Sequence, residues 1–197
     1  MHSVFPVAYF GNLVYFKSLL ASKETVFEVH EYFVKQTLRS RCEIQSANGR
    51  IQLNIPVTRP HGSKTKMIDV EISYATDWQR IHWKAIESAY ASSPYFEDYA
   101  NEIHDLIYSN CVSLVDFNMR TAQLITKFLD LPLNFNFSSE FEPSDRCNDF
   151  RMSEFNTSPS TPNYIQVFSD KAPFEPNLSI LDILFCEGPM ARKWLMN

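Results

Sequence analysis

The residues best equipped for chemistry cluster between His30 and Cys42, in the run His30-Glu31-Tyr32-Phe33-Val34-Lys35-Gln36-Thr37-Leu38-Arg39-Ser40-Arg41-Cys42. If this run is extended around Arg39 and Arg41, their i,i+2 spacing puts both on one face. Two planar guanidinium forks on one face suit a phosphate or a carboxylate, which each fork can bind through two hydrogen bonds. The ligand expected there is an anionic small molecule: a nucleotide sugar, a phosphopantetheine-type donor or an acyl phosphate. Lys35 and Tyr32 lie close enough in sequence to join that site. The competing reading is a solvated strand edge, where Lys and Arg discourage edge-to-edge pairing. His30 falls at the predicted carboxyl end of a strand, where ligands of open α/β sheets bind. Its imidazole is therefore the candidate general base, against the alternative of a hydrogen-bonded structural histidine.

Other residues are weighed the same way. In Trp78-Gln79-Arg80-Ile81-His82-Trp83, helical spacing places His82 within the apolar arc and Arg80 on the opposite face. A buried His82 needs a hydrogen-bond partner, and core packing is the expected role, with Arg80 as a ligand contact reaching in from outside. Cys42 adjoins the cationic run, which could lower a thiol pKa, yet a packed strand position is the preferred reading. Asp116 and Asn118 read as helix-start residues, and His61 as a loop residue. No H-x-x-x-H pair and no carboxylate cluster suggests a metal, and the sequence names no cofactor.

Composition limits the function classes. The formal charge is -5, whereas nucleic-acid binders usually carry a basic surplus. Only 4 glycines occur, and neither G-x-G-x-x-G nor G-x-x-x-x-G-K-[ST] is present to cradle phosphates. Cys42, Cys111, Cys147 and Cys186 are scattered without a C-x-x-C pair, so structural zinc is not expected. No basic-then-apolar leader opens the chain and no run of about 18 apolar residues suggests a span. The expectation is a reduced cytoplasmic protein with four free thiols. Oligomeric state cannot be read from these features.

The elements that must position the candidate residues follow from periodicity and turn chemistry. Val4 to Phe10 reads as a buried strand, Leu13 to Leu20 as a helix and Thr25 to His30 as a second, parallel strand. By fold analogy alone, such an opening could seat a nucleotide near the helix start. Arg41 to Val57 is a hairpin around Asn48-Gly49, which suits a type I′ turn. Met67 to Tyr74 is a further strand. Helices are predicted from Trp78, from Ser93-Pro94 and over Ser113 to Asp130, where Ser113 and Asp116 form a capping box. Residues 131–163 read as a long loop or lid, which is unusual in a compact domain and often functional. Tyr164 to Phe168 is expected to return to the sheet, and Ser179 to cap a last apolar helix ended by Gly188-Pro189. The expected architecture is α/β: one domain over residues 1–197, a small mixed sheet with a β-hairpin packed against several helices.

Read in order, several of these segments resemble the WbqC-like bacterial family. They are Ala8-Tyr9-Phe10-Gly11-Asn12-Leu13-Val14-Tyr15-Phe16, the basic run from His30 to Cys42, Ala47-Asn48-Gly49 and Leu53-Asn54-Ile55-Pro56-Val57. Trp78 to Trp83 and Ser92-Ser93-Pro94-Tyr95-Phe96 follow, and Phe174-Glu175-Pro176-Asn177-Leu178-Ser179-Ile180-Leu181-Asp182 is similar to a C-terminal motif of one bacterial branch. Two departures stand out. Gly11-Asn12 replaces the proline of the family's tyrosine motif, and Pro6-Val7-Ala8 stands where many relatives carry a histidine, so no role of that histidine transfers. The resemblance implies bacterial surface polysaccharide (O-antigen-like) biosynthesis and brings Tyr9 into the ligand-binding set. That set is Tyr9, Tyr32, Lys35, Arg39, Arg41 and Arg80, with His30 as the catalytic candidate. The expected function is a transferase-type enzyme taking an anionic donor, acyl or aminoacyl transfer to an amino sugar being one form. The alternative is a non-catalytic ligand-binding or assembly protein of the same pathway. Arg39→Lys is expected to weaken binding while leaving the thermal midpoint unchanged.

Overall fold

In the computed structural model, residues 1–152, 155 and 164–196 are described. The centre is a parallel sheet. Its strand β1 (Ser3–Pro6) is wholly buried and connects through helix α1 (Leu13–Ala21) to β2 (Thr25–Glu28). The two strands pair in parallel, Ser3 with Thr25 through Pro6 with Glu28, as the β-α-β reading required. Both are shorter than expected, because Pro6 has no N–H to continue a ladder and the chain turns away at Val29.

The hairpin forms from β3 (Arg41–Ser46) and β4 (Gly49–Asn54). Its register differs by one residue from the sequence expectation. Ser46 pairs with Gly49, so Ala47-Asn48 is the loop, and only Gly49 takes positive φ, at 102°. A type I′ turn needs positive φ at both central residues, and Asn48 does not adopt it. The hairpin stays a separate ladder rather than joining the parallel sheet, as does the short pair β5 (Val57–Thr58) with β6 (Glu71–Ile72). The strand expected from Met67 is a 3-10 turn at Met67–Asp69 before β6.

Three amphipathic helices follow. They are α2 (Trp78–Tyr90), α3 (Phe96–Ile107) and α4 (Leu114–Phe128). Ser113 caps α4 by accepting from Asp116 N at 3.2 Å, as predicted. The cap expected at Ser93 is not used: α3 begins at Phe96, and Ser93 bonds back to Tyr90 O.

The segment predicted as a long loop holds the remaining two strands of the central sheet. These are β7 (Phe135–Phe137), parallel to β2, and β8 (Asn148–Asp149), parallel to β1. Residues 153–154 and 156–163 of that segment lie outside the described residues. Tyr164 to Phe168 does not enter the sheet. Instead Gln166 exchanges two side-chain bonds with the backbone of Glu175, each at 2.8 Å. Helices α5 (Ile180–Glu187) and α6 (Ala191–Met196) close the chain and pack on α1. The buried apolar set runs without a break from β1 through the hairpin and α2–α4 to α5. The chain is an α/β protein.

Candidate functional site

The sheet order is β7-β2-β1-β8 with every pair parallel. From β1 the chain steps outward to β2 and then β7, and β8 returns to the other side of β1. The order therefore reverses between β1 and β8. In open α/β sheets the crevice beyond the carboxyl ends at such a reversal is where ligands bind, because adjacent connections leave on opposite faces and splay apart.

A cavity of about 320 Å³ lies there. Pro6 at the end of β1, with Phe10 and Asn12 after it, forms one wall, and Arg151, Met152 and Phe155 after β8 form another. The turn from Gln36 to Arg39 and the start of β3, with Arg41, Cys42 and Glu43, make a third, and Asn177 and Ser179 close it. Among the described residues, four non-glycine positions have positive φ: Phe10 at 40°, Gln36 at 59°, Asp130 at 49° and Asn177 at 55°. Three of the four, Phe10, Gln36 and Asn177, line this cavity. Such conformations cost roughly 1–3 kcal/mol each and persist where surrounding structure over-determines them, commonly at binding sites.

Beneath the cavity lies a buried ionic network. Arg39 is 2% exposed. Its Nε and Nη2 donate to the two carboxylate oxygens of Glu31 at 2.7 and 2.8 Å, and Nη2 also reaches Arg151 O at 3.2 Å. Arg151 donates twice to Asp149, both at 2.8 Å, and once to Glu28 at 3.1 Å. Glu28, fully buried at the end of β2, accepts further from His30 N, Ser138 Oγ and Glu142 N. The network ties the carboxyl ends of β2, β7 and β8 to the basic turn. Hydrogen bonding from Arg151 holds the Asp149 carboxyl below its ordinary range, while burial raises that of Glu31 against the pull of Arg39.

The sequence candidates fall into distinct places. Arg39 and Arg41 both line the cavity, but not as two open forks. Arg39 sits in a turn and its fork is taken by Glu31, because a buried guanidinium requires a charge partner. Arg41 is half-buried; its Nε donates to Asn54 Oδ1 at 2.9 Å, and no ion pair is made with any described residue. Tyr9 is wholly buried, and its hydroxyl meets His82 Nδ1 at 2.9 Å while His82 Nε2 meets Asn54 O at 3.2 Å. Burial depresses the His82 pKa to about 4. The neutral ring therefore donates from Nε2 to the carbonyl and accepts the tyrosine proton at Nδ1. Tyr9 supports Arg41 through His82 and Asn54 rather than lining the cavity. His30 is half-buried and lies outside the lining; its backbone N–H serves Glu28. Tyr32 and Lys35 are exposed and outside it too. Arg80 is exposed and pairs with Asp77 at 2.5 Å, within its own helix start. Cys42 is 1% exposed with its thiol pushed upward by burial, which leaves it a packed residue.

The helix start suggested for a nucleotide is closed by protein groups. Leu13 N bonds Leu178 O at 3.2 Å, Val14 N bonds Asn177 Oδ1 at 3.0 Å and Tyr15 N bonds Asn12 Oδ1 at 2.9 Å. With its first-turn donors satisfied, α1 has little left to offer a phosphate. Asn12 and Asn177 also both donate to Phe155 O. The C-terminal motif thus does work that its sequence did not announce. Ser179 bonds Phe10 O at 2.8 Å and Ile180 N bonds Gly11 O at 2.9 Å, clamping the turn after β1. Asp182, fully buried, receives Tyr90 Oη at 2.9 Å, Tyr164 Oη at 2.5 Å and Gln166 Nε2 at 2.9 Å.

The model of the WbqC-like protein family matches residues 7–156. The chain belongs to the WbqC-like protein family. The match takes in the β1 exit, the basic turn, the hairpin, α2–α4 and β8, and so three of the cavity's four walls; it stops short of the C-terminal clamp. An uncharacterized protein of Mycobacterium tuberculosis (strain H37Rv) is 23% identical over 211 residues, covering 92% of this chain and 91% of its own. No solved structure matches the chain. Among the described residues, no helix is long and apolar enough to cross a membrane.

Proposed function

We propose that this chain binds an anionic small molecule in the β1/β8 cavity, as a transferase-type enzyme of bacterial surface polysaccharide biosynthesis. The observation that carries the binding half is the coincidence of place and strain: the cavity at the strand reversal is lined by Phe10, Gln36 and Asn177, all held at positive φ. Arg41 supplies the charge for the ligand's acidic group, and Arg39 shapes the wall through its pair with Glu31. The pathway rests on family membership and its implied role.

A non-catalytic ligand-binding role is favoured by one observation. No histidine is among the described residues lining the cavity, and its one thiol, Cys42, is buried and held protonated. A base for transfer would then have to come from the Glu43 carboxylate on the cavity wall, from the ligand partner or from a rearranged His30.

Native mass spectrometry of gently purified protein, followed by thermal-shift screening of anionic sugar and acyl metabolites, tests the binding. A retained or stabilising anion whose effect disappears in Arg41→Gln supports it. Anions that stabilise the wild type and Arg41→Gln alike would place the ligand elsewhere. Turnover of the bound compound on addition of an amino sugar separates enzyme from binding protein.

A further inference from the structure

We infer that the cavity takes a compact acid with a single anionic head, a carboxylate or a phosphate monoester, on an apolar body, and discriminates against nucleoside diphosphates. This inference rests on the anion-binding reading above and narrows its ligand class.

Charge is the first argument. Of the three arginines at the cavity, Arg39 is saturated by Glu31, and Arg151 by Asp149 and Glu28. In that network three carboxylates face two guanidinium groups, so it has no positive charge to lend a ligand. Arg41 is left as the cation without a carboxylate partner among the described residues. Two residues along the same strand, and on the same cavity wall, stands Glu43, whose carboxylate is shared with Arg50 and Gln52. A diphosphate usually needs several cations or a row of backbone N–H groups. The row at the α1 start is already used by Asn12, Asn177 and Leu178. One positioned guanidinium fork is matched to one acidic head.

Orientation is the second. Arg41 Nε is fixed on Asn54 Oδ1, and Asn54 is held through its carbonyl by His82, itself set by Tyr9. The two Nη groups then remain for a bidentate contact, the geometry that a carboxylate or a monoester offers.

Size and polarity are the third. A volume of about 320 Å³ equals roughly ten water molecules' share of liquid. That is the low end of the range for small-molecule sites, about 300–1,000 Å³, and suits a small acid. Phe10, Leu38, Met152 and Phe155 supply apolar surface for its body.

The experiment is isothermal titration calorimetry of the intact protein with phenyl phosphate, phenylacetate, inorganic phosphate and uridine diphosphate. Phenyl phosphate or phenylacetate is expected to bind more tightly than uridine diphosphate. Arg41→Gln should weaken the aromatic acid by about ten- to a hundredfold, the effect of losing a charge-assisted contact. Met152→Ser, at a position 75% exposed and so safe for folding, should weaken phenyl phosphate and leave inorganic phosphate unchanged. If uridine diphosphate binds more tightly than the aromatic acids and is lost in Arg41→Gln, the cavity is an anion site but the single-head assignment is wrong. If the aromatic acids bind equally well to Arg41→Gln, or no anion binds at all, both readings fall.

Discussion

Replacing Arg39 separates a binding role from a structural one, because its buried pair with Glu31 predicts a loss of stability where binding alone predicts an unchanged thermal midpoint. The guanidinium and the Glu31 carboxylate have side-chain exposures of 2% and 8% and share two short hydrogen bonds. Arg39→Leu leaves Glu31 buried opposite no charge, and Glu31→Leu leaves Arg39 so. Breaking such a pair from one side costs about 3–5 kcal/mol, which at about 2–4 °C per kcal/mol lowers the thermal midpoint by about 6–20 °C. Arg39→Lys should also be costly, since an ammonium cannot span both carboxylate oxygens. The double variant Arg39→Leu with Glu31→Leu removes both charges together. It should lose less than the two single variants summed, because two apolar groups pay no desolvation penalty. Circular-dichroism melts of the four proteins measure the cycle, with coupling of about 0.5–3 kcal/mol expected for groups in contact. Single variants that melt with the wild type, or a double variant whose loss is the sum of the singles, would refute the assignment of Arg39 to the buried network.

The remaining predictions use other parts of the molecule. His82 titrates near 4 in the fold and near 6.5 unfolded, so the unfolded chain binds the extra proton between those values. The stability from keeping His82 neutral is present above about pH 6.5 and lost as pH falls toward 4, by about 3 kcal/mol in all; His82→Gln should flatten that slope in urea melts. Asp149, whose pKa is lowered chiefly by its hydrogen bonds from Arg151, adds stability above its unfolded pKa that is lost as pH falls below it, and Asp149→Asn should reduce that acid sensitivity. A Cβ on Gly11 would lie 2.5 Å from the buried Tyr15 ring, so Gly11→Ala should cost about 1–3 kcal/mol in the same melts. All four cysteines are free and buried, so a thiol reagent should count four under denaturing, non-reducing conditions and react slowly with the native protein.

The sequence by itself determined the parts whose signal is local. Apolar spacing at 3.6 residues located α1, α2 and α4, and the Ser113 and Ser179 caps were visible because a hydroxyl must meet a nearby N–H. The hairpin was legible from two extended runs around a glycine, although the register depended on which residue took positive φ. Ordered motifs from Ala8 onward marked the family. What sequence left open was every contact made at a distance. Strands β7 and β8 have three and two residues, too few to show alternation, and they exist because β1 and β2 offer them unpaired backbone edges. Spacing put Arg39 and Arg41 together, but periodicity reports which face is buried, not which carboxylate waits there, so Glu31 was passed over as Arg39's partner. Tyr9 and His82 lie 73 residues apart, and Asn12 and Asn177 are brought to Phe155 from opposite ends of the chain. The cavity belongs to none of these segments alone; it forms where parallel strands reverse their order, a property of topology that no local run of residues encodes.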